Sequence, residues 1–356
     1  MNDLTEHLPG RLGNPDTRLE QDDRAHPRIA EAAEAMGGFA PGVDPIGTDA
    51  SYEECLEFCR AFENAGAAVH GLMLAHMPEF PTVTDSTEVI AGADGNEISL
   101  YIHRPKATDG PLPGIVHTHG GGMVLGAAAD PMFVRWRNSL AAQGMVVVGV
   151  EFRNGGGRLG NHPFPAGLND CARAAQWAHA NRERLGMSKL VLSGESGGGN
   201  LAIATTLKAR QDGWLDAIDG VYAMCPYIYG GYADPSPALL SLKENDGYLL
   251  DCRSMASLAK VYDPAGDHAS NPLAWPYHAR NEHLEGLPAH VISVNELDPL
   301  RDEGLAYYRK LLAAGVPAVA HTVHGTPHAG DVMFPDITPE LYGNTLRSIY
   351  GFARSL

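Results

Sequence analysis

Short apolar runs recur through the second two-thirds of the chain: "GIVHTH", "MVVVGVEF", "KLVLSG", "GVYAMCP", "AHVISVNE" and "AVAHTVH". Between most of them the apolar positions change to a helical period, predicting helices over Met132 to Gln143, Ala166 to Leu185, Gly198 to Gln211 and Asp302 to Ala314. Continuous apolar strands alternating with helices specify an α/β fold: a mostly parallel central sheet with helices on both faces. Upstream, "PRIAEAAEAMG" reads as a short helix. A longer helix is predicted from about Ser51 to His76, with Ser51 and Glu54 as a capping box. "STEVIAGADGNEISLYIHRP" then reads as two strands about an "ADGN" turn. From about Tyr227 to Arg280 the rhythm breaks in a stretch rich in Tyr, Pro and Asp. The expected division is residues 1–85, a helical segment contributing to a cap, and residues 86–356, the α/β domain with a cap insertion at about 227–280.

Composition narrows the function. The chain has 356 residues, 44% of them hydrophobic, enough to bury a large core. Its 43 Asp+Glu against 26 Lys+Arg give a net charge of −17, which repels nucleic acid and anionic membranes. No run approaches the roughly 18 apolar residues of a membrane span. The first residues carry no basic stretch followed by an apolar one, so a cytoplasmic protein is expected. The five cysteines (Cys55, Cys59, Cys171, Cys225, Cys252) form no C-x-x-C pair and read as reduced, packed thiols.

Chemistry enters at "KLVLSGESGGGN". G-x-S-x-G directly after a strand and before a helix describes a sharp turn that lifts the Ser196 hydroxyl above the sheet edge. Side chains at Gly194 or Gly198 would collide as strand and helix pass closely. The Gly197 N–H, next along the chain, can face charge developing on an attacked carbonyl. Alone the pattern is weak in so glycine-rich a chain, and strand-glycines-helix also suits a phosphate. Neither G-K-[ST] nor G-x-G-x-x-G is present there, however.

A second cluster, His119-Gly120-Gly121-Gly122, ends an earlier strand. A tetrahedral oxyanion needs waiting N–H donors, and backbone amides reach a site only where side chains do not block them. Gly121, Gly122 and Gly197 are the candidate donors, with His119 anchoring the loop. After "AHVISVNE" comes Asp298, with Glu296 and Asp302 as rivals, and after the next strand comes His328. His321 and His324 read as structural. Serine, acid and histidine thus follow separate strands in the chain order of a nucleophile-elbow hydrolase. His117 with His119, and the three histidines of "HTVHGTPH", raise a metal reading. No H-E-x-x-H occurs, so neither metal nor organic cofactor is expected.

Together "HGGGM", "GESGGG", "NHPFPAGLNDCARAAQW", "DPLRDEG" and the late His328 resemble the hormone-sensitive-lipase-like carboxylesterases of the α/β-hydrolase fold. The likeness covers roughly Leu100 to the C-terminus. "EFRN", "ENDGY" and "AWPY" look most like a bacterial member. The resemblance implies a serine esterase of small-molecule esters, macrolactones included, compatible with self-association. Its catalytic residues would be Ser196, Asp298 and His328, under a cap whose Met123, Tyr227 and Trp275 line the pocket. Departures are Glu195 for the usual Asp, the "EFRNGGGRLGN" stretch with glycines at 155 to 157, and "GTPHAGD" around the histidine. An amidase or acyltransferase would use the same groups, and a binding protein on this fold would be expected to lack one.

Overall fold

The computed structural model describes residues 8–39, 42–73 and 77–356. Eight strands form one sheet: β1 (Val83–Ala91), β2 (Glu97–Pro105), β3 (Leu112–Thr118), β4 (Val146–Val150), β5 (Met187–Glu195), β6 (Gly220–Met224), β7 (Ala289–Asn295) and β8 (Ala318–Val323). Their order is β1-β2-β4-β3-β5-β6-β7-β8. The first two pair antiparallel, β2 meets β4 antiparallel, and all pairs from β4 onward are parallel. The principal helices are α1 (Pro27–Met36), α2 (Tyr52–Met73), α3 (Pro131–Ala142), α4 (Ala166–Ala180), α5 (Gly197–Asp212), α6 (Cys252–Tyr262), α7 (Arg301–Ala313) and α8 (Pro339–Ser355).

Strand periodicity assigns the two faces. Val116, Val148, Leu190, Leu192 and Ile292 pack with Leu168, Leu201 and Leu311 of α4, α5 and α7. Their neighbours in sequence, Ile115, Val147, Val191 and Val291, pack on the other side with Trp136 and Leu140 of α3 and with Leu346 and Ile349 of α8. Both faces are therefore buried, which is why these strands are apolar throughout.

Local signals are met at the helix ends. Ser51 N–H donates to Glu54 Oε2 at 2.7 Å, and Glu54 N–H donates to Ser51 Oγ at 3.2 Å, so the capping box opens α2. The predicted end of that helix, residues 74–76, lies outside the described residues. The single helix expected over Ala166 to Leu185 is interrupted instead. Asn181 leaves helical geometry and its amide donates to the Trp177 carbonyl at 2.9 Å, a local competition with the helix ladder. All five cysteines are free and buried. No helix among the described residues is long and apolar enough to cross a membrane.

The N-terminal segment and the 227–280 segment meet above the sheet. Cys55, Leu56, Phe58 and Cys59 of α2 share a core with Met255, Leu258 and Val261 of α6. Leu19, Ile29, Ala33 and Phe39 form a smaller core with Tyr248, Leu297 and Phe334. Glu244, which pairs with Arg24 and accepts two hydrogen bonds from Arg301 at 2.8 and 2.9 Å, joins the N-terminal stretch to the start of α7.

One buried carboxyl holds the chain just after β6. Glu303 Oε1 accepts from Ile228 N–H at 2.7 Å, Tyr229 N–H at 3.1 Å and the Tyr232 hydroxyl at 2.8 Å. Its Oε2 has no partner among the described residues. Burial pushes this carboxyl up to about 8 from 4.5. A raised folded value means that folding takes up a proton between the two limits. The stabilising contribution is complete below the lower limit and is lost as pH rises through the upper one. Glu303→Gln keeps the acceptor and removes the titration. Its stability relative to wild type should therefore improve between about pH 5 and about pH 8, measured by urea unfolding at each pH. A difference that stays constant over that range would reject Glu303 as the titrating group.

Candidate active site

Ser196 stands between β5 and α5 with φ 57 and ψ −120, a left-handed-side conformation that is strained for a residue with a side chain. Its N–H donates to the Met224 carbonyl at 2.9 Å, and its own carbonyl accepts from Tyr227 N–H at 3.1 Å. A Cβ on Gly194 would lie 2.3 Å from the Thr118 carbonyl oxygen, and one on Gly198 only 1.9 Å from it. The collision expected from the sequence is real, and its partner is the end of β3. A Cβ on Gly197 would come within 2.6 Å of the backbone nitrogens of Gly122 and Met123. Elbow and glycine loop therefore touch backbone to backbone.

The glycine loop is fastened from beneath. His119 is fully buried, stacks on Phe152 at 4.3 Å between ring centroids, and brings Nδ1 to 2.7 Å from the Gly120 carbonyl. Burial pushes it down to about 3, so the ring is neutral and Nδ1–H donates to the carbonyl. Gly120 N–H donates to Glu195 Oε1 at 2.8 Å, while Glu195 Oε2 lies 3.0 Å from His117 Nε2. The Glu195 side chain, next to the serine, thus holds the loop and accounts for buried His117. Gly121 and Gly122 have φ of 108 and 62, and a Cβ on Gly121 would sit 2.1 Å from the Leu125 carbonyl oxygen. Among the described residues their N–H groups donate to no acceptor.

Asp298 and His328 come together. His328 Nδ1 lies 2.8 Å from Asp298 Oδ2, and Asp298 Oδ1 accepts from Leu300 N–H at 2.9 Å. Asp298 is fully buried and His328 nearly so. The turn bearing the histidine is fixed by Asn295, which accepts from Ala329 N–H at 3.1 Å and donates to Asp331 at 2.8 Å. The rival acids point elsewhere. Glu296 meets His324 at 3.1 Å and accepts from Gly325 N–H, while Asp302 meets Arg301 and accepts from Ser241 N–H. His321 lies against Tyr222.

Cys225, read from sequence only as a packed thiol, has its Sγ in one group with ligand atoms of Asp298 and His328, all within 4.8 Å of one another. It directly follows β6, and position at the same sheet edge was the available signal. Of the described residues these three are the set that could hold a metal. Burial, then the Asp298 charge, raises the thiol well above its ordinary value, so it stays protonated, and His328 Nδ1 is engaged by Asp298. That donor set fits a metal ligand poorly.

Ser196, His328, Glu195 and Gly120 to Gly122 line one cavity of about 430 Å³. Its other walls include Phe39 and Phe62 from the N-terminal segment and Leu249, Met255 and Leu258 from the 227–280 segment. Of the three residues expected to line the pocket, Tyr227 does so, its hydroxyl donating to the Met255 carbonyl at 2.6 Å. Met123 and Trp275 do not line it. Met123 is buried in the main core, and Trp275 stands edge-on to Tyr227 and Tyr262 in a layer behind the wall. Glu63, Asp130 and Arg158 line the cavity without having been identified from sequence. Glu63 follows Cys55 and Cys59 at intervals of four, so an acid on the buried face of α2 was a legible sign.

A family model for the alpha/beta hydrolase fold matches residues 115–331. An arylesterase of Saccharolobus solfataricus is 31% identical over 274 residues, covering 75% of this chain and 84% of that protein. Carboxylesterase NlhH of Mycobacterium tuberculosis is 30% identical over 276 residues, covering 76% and 82%. Among solved structures, brefeldin A esterase, a bacterial homologue of human hormone sensitive lipase, superposes with a TM-score of 0.92 at 45% identity, over 97% of this chain and 98% of that one. Esterase Est22 gives 0.84 at 36%, over 95% and 99%.

Glu195 provides a test of how the glycine loop is positioned. Glu195→Ala leaves Gly120 N–H and His117 unpartnered, and should lower kcat about 100-fold with little change in KM, as a small misplacement of positioned groups does. Glu195→Gln, whose amide oxygen still accepts from Gly120, should keep most of the activity. Steady-state kinetics on a soluble ester decides this, and an unchanged kcat for Glu195→Ala would mean that the loop holds itself.

Proposed function

This chain belongs to the alpha/beta-hydrolase family and is a carboxylesterase; from that premise we propose that it works through Ser196, His328 and Asp298. Ser196 Oγ attacks the ester carbonyl while His328 Nε2 takes its proton. The same proton then goes to the leaving alcohol, and water, deprotonated by His328, releases the acid from the acyl-serine. Asp298 holds the Nδ1–H tautomer and stabilises the imidazolium. The N–H groups of Gly121, Gly122 and Gly197 receive the oxyanion. The observation that carries this reading is the 2.8 Å Asp298–His328 contact on the wall of the cavity that contains the Ser196 elbow. Support also comes from the unengaged N–H groups of Gly121 and Gly122 beside that elbow.

The described residues before β1, which begins at Val83 rather than after residue 85, and about 227–280 form, in this proposal, a cap over the serine. A cavity of about 430 Å³ is of ordinary size for a small-molecule site. Soluble esters of short to medium acyl chains fit it. Brefeldin A is included among the proposed substrates because a similar structure is a brefeldin A esterase.

Ser196→Ala should lower kcat by about 10⁴-fold or more with the fold intact by circular dichroism. Asp298→Asn should cost a similar factor, about 10⁴, through the wrong imidazole tautomer, and Glu296→Gln and Asp302→Asn much less. If either rival proves worse than Asp298→Asn, the acid is misassigned. For substrate size, kcat/KM across p-nitrophenyl esters from acetate to palmitate should peak between about two and eight carbons, by the pocket argument. A maximum at palmitate would overturn the roofed-cavity reading.

A further inference from the structure

The cavity wall is mostly apolar, and its charged groups other than Glu195 and His328 gather in one place. Glu63, on α2, is 8% exposed; Oε1 accepts from Gly126 N–H and Oε2 from Arg158 N–H, both at 2.8 Å. The glycines at 155 to 157 make this possible. A Cβ on Gly157, whose φ is 71, would lie 2.8 Å from Glu63 Oε2, and one on Gly156 would lie 3.0 Å from Val261 of α6. The glycine run therefore lets α2 bring its carboxylate down onto the loops beside the serine. It also delivers Arg158, whose Nη2 pairs with Asp130 and whose Nε lies 4.0 Å from Glu63. Asp130 Oδ2 accepts from Ala127 N–H at 3.0 Å. The ester chemistry uses none of these three side chains.

Their chemistry selects a ligand. Arg158 Nη1 has no acceptor among the described residues, so donors remain to be used. The carboxylate oxygens each accept one of these bonds and keep a second lone pair. Two acids against one guanidinium leave the corner net negative, so a substrate carboxylate is repelled. An alkyl tail would strip water from the polar groups without replacing its hydrogen bonds. A neutral hydroxyl can accept from Arg158 and donate to a carboxylate.

We propose that Glu63, Asp130 and Arg158 form a hydroxyl-recognising subsite, and that the preferred esters carry a neutral hydroxyl group away from the scissile bond, on the acyl or the alcohol side. This rests on the Ser196 reading, because the serine anchors the other end of the ester.

The test compares kcat/KM for p-nitrophenyl hexanoate and octanoate with their ω-hydroxy counterparts and with the matching half-esters of dicarboxylic acids. Butyl butanoate and butanediol monobutanoate probe the alcohol side. At one chain length at least, the hydroxyl should raise kcat/KM by about ten-fold or more through KM, the size of one net hydrogen bond to a charged group. The dicarboxylic half-ester should fall below the alkyl ester. In Arg158→Met the hydroxyl-to-alkyl ratio should drop to about one at every length, and Arg158→Lys should retain part of it. Alkyl esters turned over by wild type without any hydroxyl preference, or a preference that survives Arg158→Met, would overturn the subsite while leaving the serine mechanism standing. Alkyl esters that Ser196→Ala hydrolyses as fast as wild type would remove the mechanism, and the subsite with it.

Discussion

The site depends on backbone packed directly against backbone where β3 and β5 end. With the Thr118 carbonyl oxygen 1.9 and 2.3 Å from where Cβ atoms of Gly198 and Gly194 would be, there is no room for a side chain at either place. Gly197 repeats the contact against Gly122 and Met123. The proposed nucleophile and oxyanion donors therefore belong to one rigid unit and need not be assembled when substrate binds. The unit carries strain, since Ser196 sits at φ 57, a cost on the order of 1–3 kcal/mol. The surrounding hydrogen bonds hold it there. Met224 accepts from the Ser196 amide, Thr118 Oγ1 donates to the Gly198 carbonyl at 2.7 Å, and Glu195 ties the turn to Gly120.

The remaining groups reach this unit through sheet order. β6, β7 and β8 lie successively beyond β5, all parallel, so Cys225, Asp298 and His328 emerge along the same edge. Each is then fixed by loop contacts. Asn295, the last residue of β7, holds the histidine turn, and Asn245 donates to the carbonyls of Glu296 and Asp298, both at 3.1 Å. Glu244, beside Asn245, carries the Arg24 and Arg301 pairs. The N-terminal stretch is thereby coupled to the acid loop as well as to the cavity roof.

What could be read from the sequence was what has a local cause. Two-residue alternation fixes which strand positions face which helices. The glycines around Ser196 and after His119 answer to contacts within their own turns and the next strand. Asp298 and His328, which the structure brings together, stood out by their place after strands. What escaped depends on which distant segments meet. Glu63 and Arg158 lie far apart in sequence and face one cavity only because a glycine run lets α2 settle between α6 and the loop. Met123 and Trp275 have the side chains expected of a pocket wall, yet one lies in the core and the other stands behind Tyr227. Residue type predicts burial better than it predicts which surface of a cavity a side chain reaches.

The buried charges around His328 also account for the state of the thiol nearest the proposed nucleophile. Cys225 lies nearer to the acid–histidine pair than an inert cysteine would need to. Burial first, then the charges of Asp298, Asp331 and Glu195, hold it protonated, and a protonated thiol is a weak nucleophile and a poor metal ligand. In the proposed mechanism His328 becomes a cation as Ser196 attacks, and carboxylates fixed in a low-dielectric interior stabilise that charge where it forms. The acid that would stabilise this cation also helps to keep the proton on the sulfur. In the proposed mechanism the serine and the neighbouring cysteine are therefore compatible, because the thiol stays protonated beside the acid.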